Sequence, residues 1–261
     1  MKIASILGLP SMPAASPSYP LGPYRFINRE YFIITYVSDA DAIRDALPEP
    51  LEPAPGNKVM YEFIRMPDSA GFGDYTESGV VIPCLLNGEP ANFTAQMYLD
   101  NEPPIAGGRE IWGFPKKNAN PKLSVMHDTL TGTLDYAGER VALGTMGYKH
   151  RNLICSEDHV SSHSGQECLL PDEFAHKLAK TQINLKIIPD VDGTPAIAQL
   201  VGYNLIEVKI KGAWSGPARL HLIPHVNAPV ADLPVLSVDG GMHIIADLTL
   251  PFGRVLHDYL K

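Results

Sequence analysis

Cysteine is nearly absent, with three in 261 residues. An odd and sparse set fits a reducing compartment and excludes a secreted disulfide framework. Basic residues are also short: 21 Lys and Arg face 29 Asp and Glu, for a net charge of −8. That balance argues against a nucleic-acid binder, which needs a positive footprint, so any anionic ligand must find a local positive pocket. No window reaches the roughly 18 consecutive apolar residues of a membrane-spanning helix. The opening run, Met1 to Pro10, is interrupted by Ser5, Gly8 and Pro10 and is too short for a signal sequence. The expectation is a soluble, cytoplasmic protein. Charged residues make up only 19% of the chain, whereas 24 prolines and 22 glycines exceed ordinary usage, a mixture that suits many short elements joined by tight turns.

Five prolines fall between Pro10 and Pro23, so residues 1–23 read as an extended arm laid over the body or a neighbour. The body, residues 24–261, carries a repeated strand signal. Strands are expected at Tyr31–Val37, Lys58–Met66, Tyr75–Ile82, Asn92–Leu99, Lys122–Met126, Asp128–Tyr136 and Glu139–Tyr148, with Ala137-Gly138 as a hairpin turn. Others are expected at Ile183–Ile188, Ala196–Val201, Leu205–Lys211 and Ile244–Leu250, where Ile206, Val208 and Ile210 should face inward. Ser38 offers an N-cap for a short helix that stops before Pro48, and a second helix should run from Pro171 to about Lys180. With no linker or internal repeat, the pattern predicts one mainly-β domain closed into an antiparallel barrel.

In Lys58–Met66 the period of two places Val59, Tyr61 and Phe63 on one face and Met60, Glu62, Ile64 and Met66 on the other. A carboxylate thus sits among apolar neighbours, and a buried Glu is costly unless paired. Several standard chemistries fail on inspection. Gly71-Phe72-Gly73 lacks the third glycine and the strand–helix frame of a dinucleotide site. The serine of Gly212-Ala213-Trp214-Ser215-Gly216 stands one place too late for a nucleophile elbow. Cys155, His159, His163 and Cys168 have donor types that suit zinc, but without a second close cysteine pair the plainer reading is a polar loop, and no metal and no cofactor is expected.

The sharper signal is Gly108-Arg109-Glu110-Ile111-Trp112-Gly113-Phe114-Pro115-Lys116-Lys117. A Lys-Lys pair is ordinarily solvated surface, yet this one follows an apolar aromatic run and a proline. The segment resembles the active-site motif of the acetoacetate decarboxylase family. Further segments resemble that family in the same order: Gly22-Pro23-Tyr24, Asn28-Arg29-Glu30-Tyr31-Phe32, Tyr75-Thr76-Glu77-Ser78-Gly79, Met97 to Pro103, Thr145 to His150 and Asp258-Tyr259-Leu260-Lys261. The resemblance implies a mainly-β barrel or cone with a few short helices, a homo-oligomer, and decarboxylation of acetoacetate through a Schiff base. It implies Lys116 as the imine-forming lysine, Lys117 as its neighbour in pKa tuning, and Arg29, Glu62 and Glu77 as polar groups of the pocket. Phe114 stands where relatives carry tyrosine, and the stretch from Leu153 to about Pro171 is long for the family.

An imine on a β-keto acid gives the electrons of the departing CO2 somewhere to go, but the lysine must attack as a neutral amine. A free lysine titrates near pH 10.4 and is overwhelmingly charged at pH 7. Acetoacetate decarboxylase is itself a standard example of lysine activation. A second ammonium about 7 Å away contributes only about 2 kcal/mol at an effective dielectric of ~20, whereas desolvation moves a lysine by about 3–5 pH units. Successive residues of an extended chain point to opposite faces, so Lys117 should face away. Apolar burial, with Phe114 and Met97 as pocket wall, is therefore expected to be the larger cause. Arg29 is expected to hold Glu77 or Glu62 more than the substrate carboxylate, because tight pairing to a charge that departs in the transition state opposes the reaction. A decarboxylase of a different β-keto acid, an aldolase-dehydratase of the same imine chemistry, and a barrel that only binds small apolar ligands are the competing expectations.

Overall fold

The computed structural model describes residues 1–154 and 169–261; the four Cys and His positions of the zinc reading lie outside them. In chain order the strands are β1 (Tyr24–Val37), β2 (Glu52–Pro53), β3 (Lys58–Ser69), β4 (Gly73–Leu86), β5 (Glu89–Leu99), β6 (Lys116–Asn118), β7 (Asn120–Met126) and β8 (Thr129–Tyr136). They continue as β9 (Glu139–Gly147), β10 (Arg151–Asn152), β11 (Gln182–Pro189), β12 (Pro195–Tyr203), β13 (Ile206–Gly216), β14 (Ala218–Leu222), β15 (Ser237–Leu250) and β16 (Arg254–Asp258). Among the described residues there are four short α-helices: α1 (Ile3–Leu7), α2 (Ala40–Ala46), α3 (Glu102–Gly107) and α4 (Pro171–Leu178).

Twelve strands form one large sheet in the order β10-β13-β15-β1-β3-β4-β5-β11-β12-β16, with β2 added on β4 and β6 on β5. A second sheet has the order β14-β9-β8-β7. The mainly-β expectation holds. The pairing is not purely antiparallel, since β5 pairs parallel with both β6 and β11, and among the described residues neither sheet closes on itself. The edge strands β10 and β16 are short, which limits the unpaired backbone they leave open.

The large sheet is buried on both faces, and alternation along its strands assigns each side chain to one of them. Phe32, Ile34 and Tyr36 of β1 join Tyr61 and Phe63 of β3 in a core completed by Leu130, Leu134 and Met146 of the small sheet. Tyr31, Ile33, Ile64, Trp112, Phe114 and Ile244 belong to a second cluster on the opposite face. Contact between the sheets depends on Gly132: a methyl group there would lie 2.3 Å from ring carbons of Phe63. The Ala137-Gly138 turn has φ of 53° and 90°, the left-handed pair that matches the twist of a two-residue hairpin.

Two local expectations need correction. The cap of α2 is Asp39, not Ser38: Asp39 is extended, and its carboxylate accepts from the backbone N–H groups of Asp41 and Ala42 at 3.0 Å each. The side chain of Ser38 is buried, with its backbone N–H donating to Asn57. In β13, Ile206 is 44% exposed instead of facing inward, because a bulge at Glu207, φ 53°, shifts the register between Ile206 and Lys209. The arm is not wholly extended, since it begins with the exposed α1. Its end is tied down: Tyr19 is buried, its hydroxyl donates to the Glu110 carboxylate, and Tyr24 stacks on Phe72 at 4.3 Å.

Candidate active site

The site rests on one row of residues that crosses the large sheet. Ile33 of β1 lies opposite Glu62 of β3, Glu62 opposite Gly79 of β4, Gly79 opposite Met97 of β5, and Met97 opposite Lys116 of β6. Adjacent strands are about 4.8 Å apart and opposed residues share a face, so the row carries Glu62, Met97 and Lys116 onto the same side. Gly79 contributes no side chain and leaves room between them. Glu77, two residues along β4, projects to that side as well. The face opens on a cavity of about 750 Å³ that includes Arg29, Tyr31, Glu62, Tyr75, Glu77, Met97, Phe114, Lys116 and Tyr203 in its wall.

The segment before Lys116 fixes its position. α3 runs into a turn of π-helix at Gly108–Trp112, which ends at Gly113 in the left-handed conformation, φ 76°. The Trp112 indole N–H donates to the carbonyl of Pro251 at 2.9 Å, and Arg109 donates to the carbonyl of Lys116 at 3.1 Å. The lysine side chain lies against the backbone of Gly108, where a Cβ would stand 2.8 Å from its Cδ and 2.9 Å from its Cε.

Lys116 is 6% exposed. Its Nζ is 2.6 Å from Glu77 Oε1, 5.0 Å from the centre of the Phe114 ring and 5.9 Å from that of Tyr75. Burial pushes the ammonium below its ordinary pKa; the ion pair with Glu77 acts in the opposite direction, and the Arg29 charge adds to the lowering. Arg29 Nη2 is 4.0 Å from Glu77 Oε2, and its guanidinium lies 4.7 Å over the Tyr31 ring. Glu77 therefore stands between two cations. Burial pushes the Glu62 carboxyl up to about 7, with the negative charge of Glu77 adding to it and Arg29 opposing it.

The structure thus brings together Lys116, Glu77, Glu62, Arg29, Met97 and Phe114. It does not bring in Lys117, whose ammonium is on the other side of β6, donating to the carbonyl of Asn227 and lying 4.9 Å over the Tyr136 ring. The cation that acts on Lys116 is Arg29. Sequence reasoning missed Tyr75, Tyr203 and Gly108. The two tyrosines are buried and their pKa values are raised by that burial, but nothing local separates them from core aromatics. Gly108 opens the lysine motif, and its contact with a side chain eight residues later requires the π-helical turn.

The acetoacetate decarboxylase family model matches residues 9–260. An acetoacetate decarboxylase of Paraburkholderia xenovorans is 56% identical over 250 residues, which are 96% of this chain and 92% of that protein. The crystal structure of an acetoacetate decarboxylase from Legionella pneumophila, 47% identical, superposes with a TM-score of 0.87 over 97% of this chain and 94% of the other. Another solved acetoacetate decarboxylase, 44% identical, gives 0.91 with both chains covered completely. A match of this extent, on a chain whose buried lysine, two glutamates and arginine share one cavity, makes it a member of the acetoacetate decarboxylase family.

Proposed function

We propose that the chain decarboxylates acetoacetate to acetone and CO2 through an imine on Lys116. One observation carries this reading: a lysine amine buried in a largely apolar wall, with its pKa lowered by that burial, at the edge of a cavity large enough for the substrate. Glu77 is the nearest base and takes the proton that the ammonium gives up. The neutral amine then adds to the ketone carbon, and loss of water leaves a protonated imine. As the C–C bond to the carboxylate breaks, its electron pair moves into the iminium, giving CO2 and an enamine. A proton returns to carbon, and water releases acetone and free lysine. Glu62, whose carboxyl titrates near neutrality on the same face, is placed to hold or return a proton. Arg29 keeps Glu77 in position and makes at most a loose contact with substrate, since the substrate's charge leaves in the transition state for C–C cleavage.

The same reading takes residues 24–261 as one domain and residues 1–23 as an arm. It makes the enzyme a cytoplasmic homo-oligomer. Support comes from apolar side chains left open on the arm, with Ile3 77%, Leu7 82% and Met12 76% exposed, which a neighbouring subunit would cover. Light scattering should give a multiple of 28.4 kDa; a monomer at micromolar concentration contradicts this part. Among the described residues no helix is long and apolar enough to cross a membrane. The activity itself is tested by incubating the purified chain with acetoacetate. Equimolar CO2 and acetone support it, while aldol condensation or dehydration without CO2 identifies a different imine enzyme.

A further inference from the structure

The reaction centre takes up one end of its cavity. About 750 Å³ is room for about 25 waters at ~30 Å³ each, whereas acetoacetate has only about seven heavy atoms. Strand register locates the unused space. Met97 pairs with Lys116 at one end of β5, and Asn92 pairs with Gln182 at the other. Their partners on β4, Gly79 and Pro83, are four residues apart, which at about 3.4 Å each separates the two ends by roughly 14 Å. The register shift between Val80 and Val81 restores the phase of β5, so Thr94 and Asn92 open on the same cavity as Met97. Between these ends the wall is mainly apolar, with Met60, Val81 and Pro83 on the sheet and Phe174 and Leu178 on α4. Of the described lining residues only Lys177 and Lys180 are exposed, which marks the mouth at the end away from Lys116.

A deep lysine and an apolar trough that runs from it to an open mouth fit an elongated substrate better than a compact one. We infer that the site also decarboxylates straight-chain 3-oxo acids of medium length, about eight to ten carbons, with the ketone at Lys116 and the alkyl tail along Met60, Val81 and Leu178. This rests on the imine assignment to Lys116. The chemistry is unchanged: the bond from C2 to the carboxylate breaks, CO2 leaves, a proton is added to C2, and the product is a methyl ketone bearing the same tail. Each methylene moved from water to an apolar wall is worth about a fourfold gain. An acid with several more methylenes than acetoacetate has that gain open to it, and acetoacetate leaves the trough to water.

The test is a chain-length series on the purified enzyme, with the 3-oxo acids of four, six, eight and ten carbons, scored by CO2 and methyl ketone. The expected result is a rise in kcat/KM of about threefold to fourfold per methylene up to eight carbons. A fall of tenfold or more from four to eight carbons, with acetoacetate still turned over, overturns this inference and leaves the Lys116 reading standing. No turnover of any member overturns both. Val81→Phe sets a ring across the middle of the trough and should reduce the eight-carbon acid at least tenfold while acetoacetate stays within about threefold. If that variant does not fold, Leu178→Asn on the helical wall should lower the ratio of the two substrates in the same direction. An unchanged ratio in a folded variant places the tail elsewhere and refutes the assignment.

Discussion

Gly108→Ala separates catalysis from stability more cleanly than removal of any charged group. Gly108 has φ −62° and ψ −45°, ordinary right-handed helical values, so alanine suits its backbone. In a helical turn alanine is favoured over glycine by roughly 0.5–1 kcal/mol, and folding should be unharmed by the backbone term. The new Cβ, however, would stand 2.8 Å, 2.9 Å and 3.2 Å from Cδ, Cε and Nζ of Lys116. Ordinary carbon contacts are about 3.5–4.0 Å, so the lysine end must retreat by roughly 0.5–1 Å. Displacing a nucleophile that far costs about a hundredfold in rate. Gly107→Ala is the control: the atoms nearest its Cβ would be those of the Tyr19 ring, from 3.1 Å, and not those of Lys116. We expect kcat/KM for acetoacetate to fall about a hundredfold in Gly108→Ala, with Tm unchanged or slightly raised, and Gly107→Ala to keep activity within a few-fold. Activity in Gly108→Ala within threefold of the parent would refute the claim that this glycine sets the lysine's position.

Three further outcomes follow from the charges of the site. Glu77 is the group that holds the Lys116 pKa up, so Glu77→Gln should move the acidic limb of kcat/KM to lower pH while reducing the maximal rate; a shift to higher pH contradicts the pairing. Met97→Asn admits water beside the amine and should move that limb upward, whereas Lys117→Gln, on the far side of the strand, should leave it nearly in place. A larger upward shift in Lys117→Gln would reverse the ranking of desolvation over charge. Glu62 ionises from 4.5 in its ordinary range but from about 7 when folded, so folding takes up a proton between those values. Its contribution to stability is complete below about pH 4.5 and lost as pH rises through about 7. Urea unfolding from pH 4.5 to 8 should show this decline, and Glu62→Gln should flatten it.

Much of the site could be read from the chain because it lies on extended strands. Alternation in Lys58–Met66 placed Glu62 on the face opposite Phe63, and β3 has that arrangement. The extended rule also sent Lys116 and Lys117 to opposite sides of β6. What could not be read was set by contacts distant in sequence. The parallel pairing of β6 beside Met97 leaves no local signature. A bulge such as that at Glu207 adds one residue and reverses the pattern beyond it, which is why Ile206 was misplaced. Arg29 faces Glu77 because β1 and β4 flank β3, a fact of topology and not of spacing.

The central claim is that Lys116 forms the covalent intermediate. Sodium borohydride added to the enzyme during acetoacetate turnover, followed by peptide mass analysis, tests it most directly. The account predicts one isopropyl group per chain, from reduction of the acetone imine, on the peptide that contains Lys116 and on its Nζ, and no label in Lys116→Ala, which should also release no CO2. Label on another lysine, or decarboxylation above a tenth of the parent rate in Lys116→Ala, would contradict it.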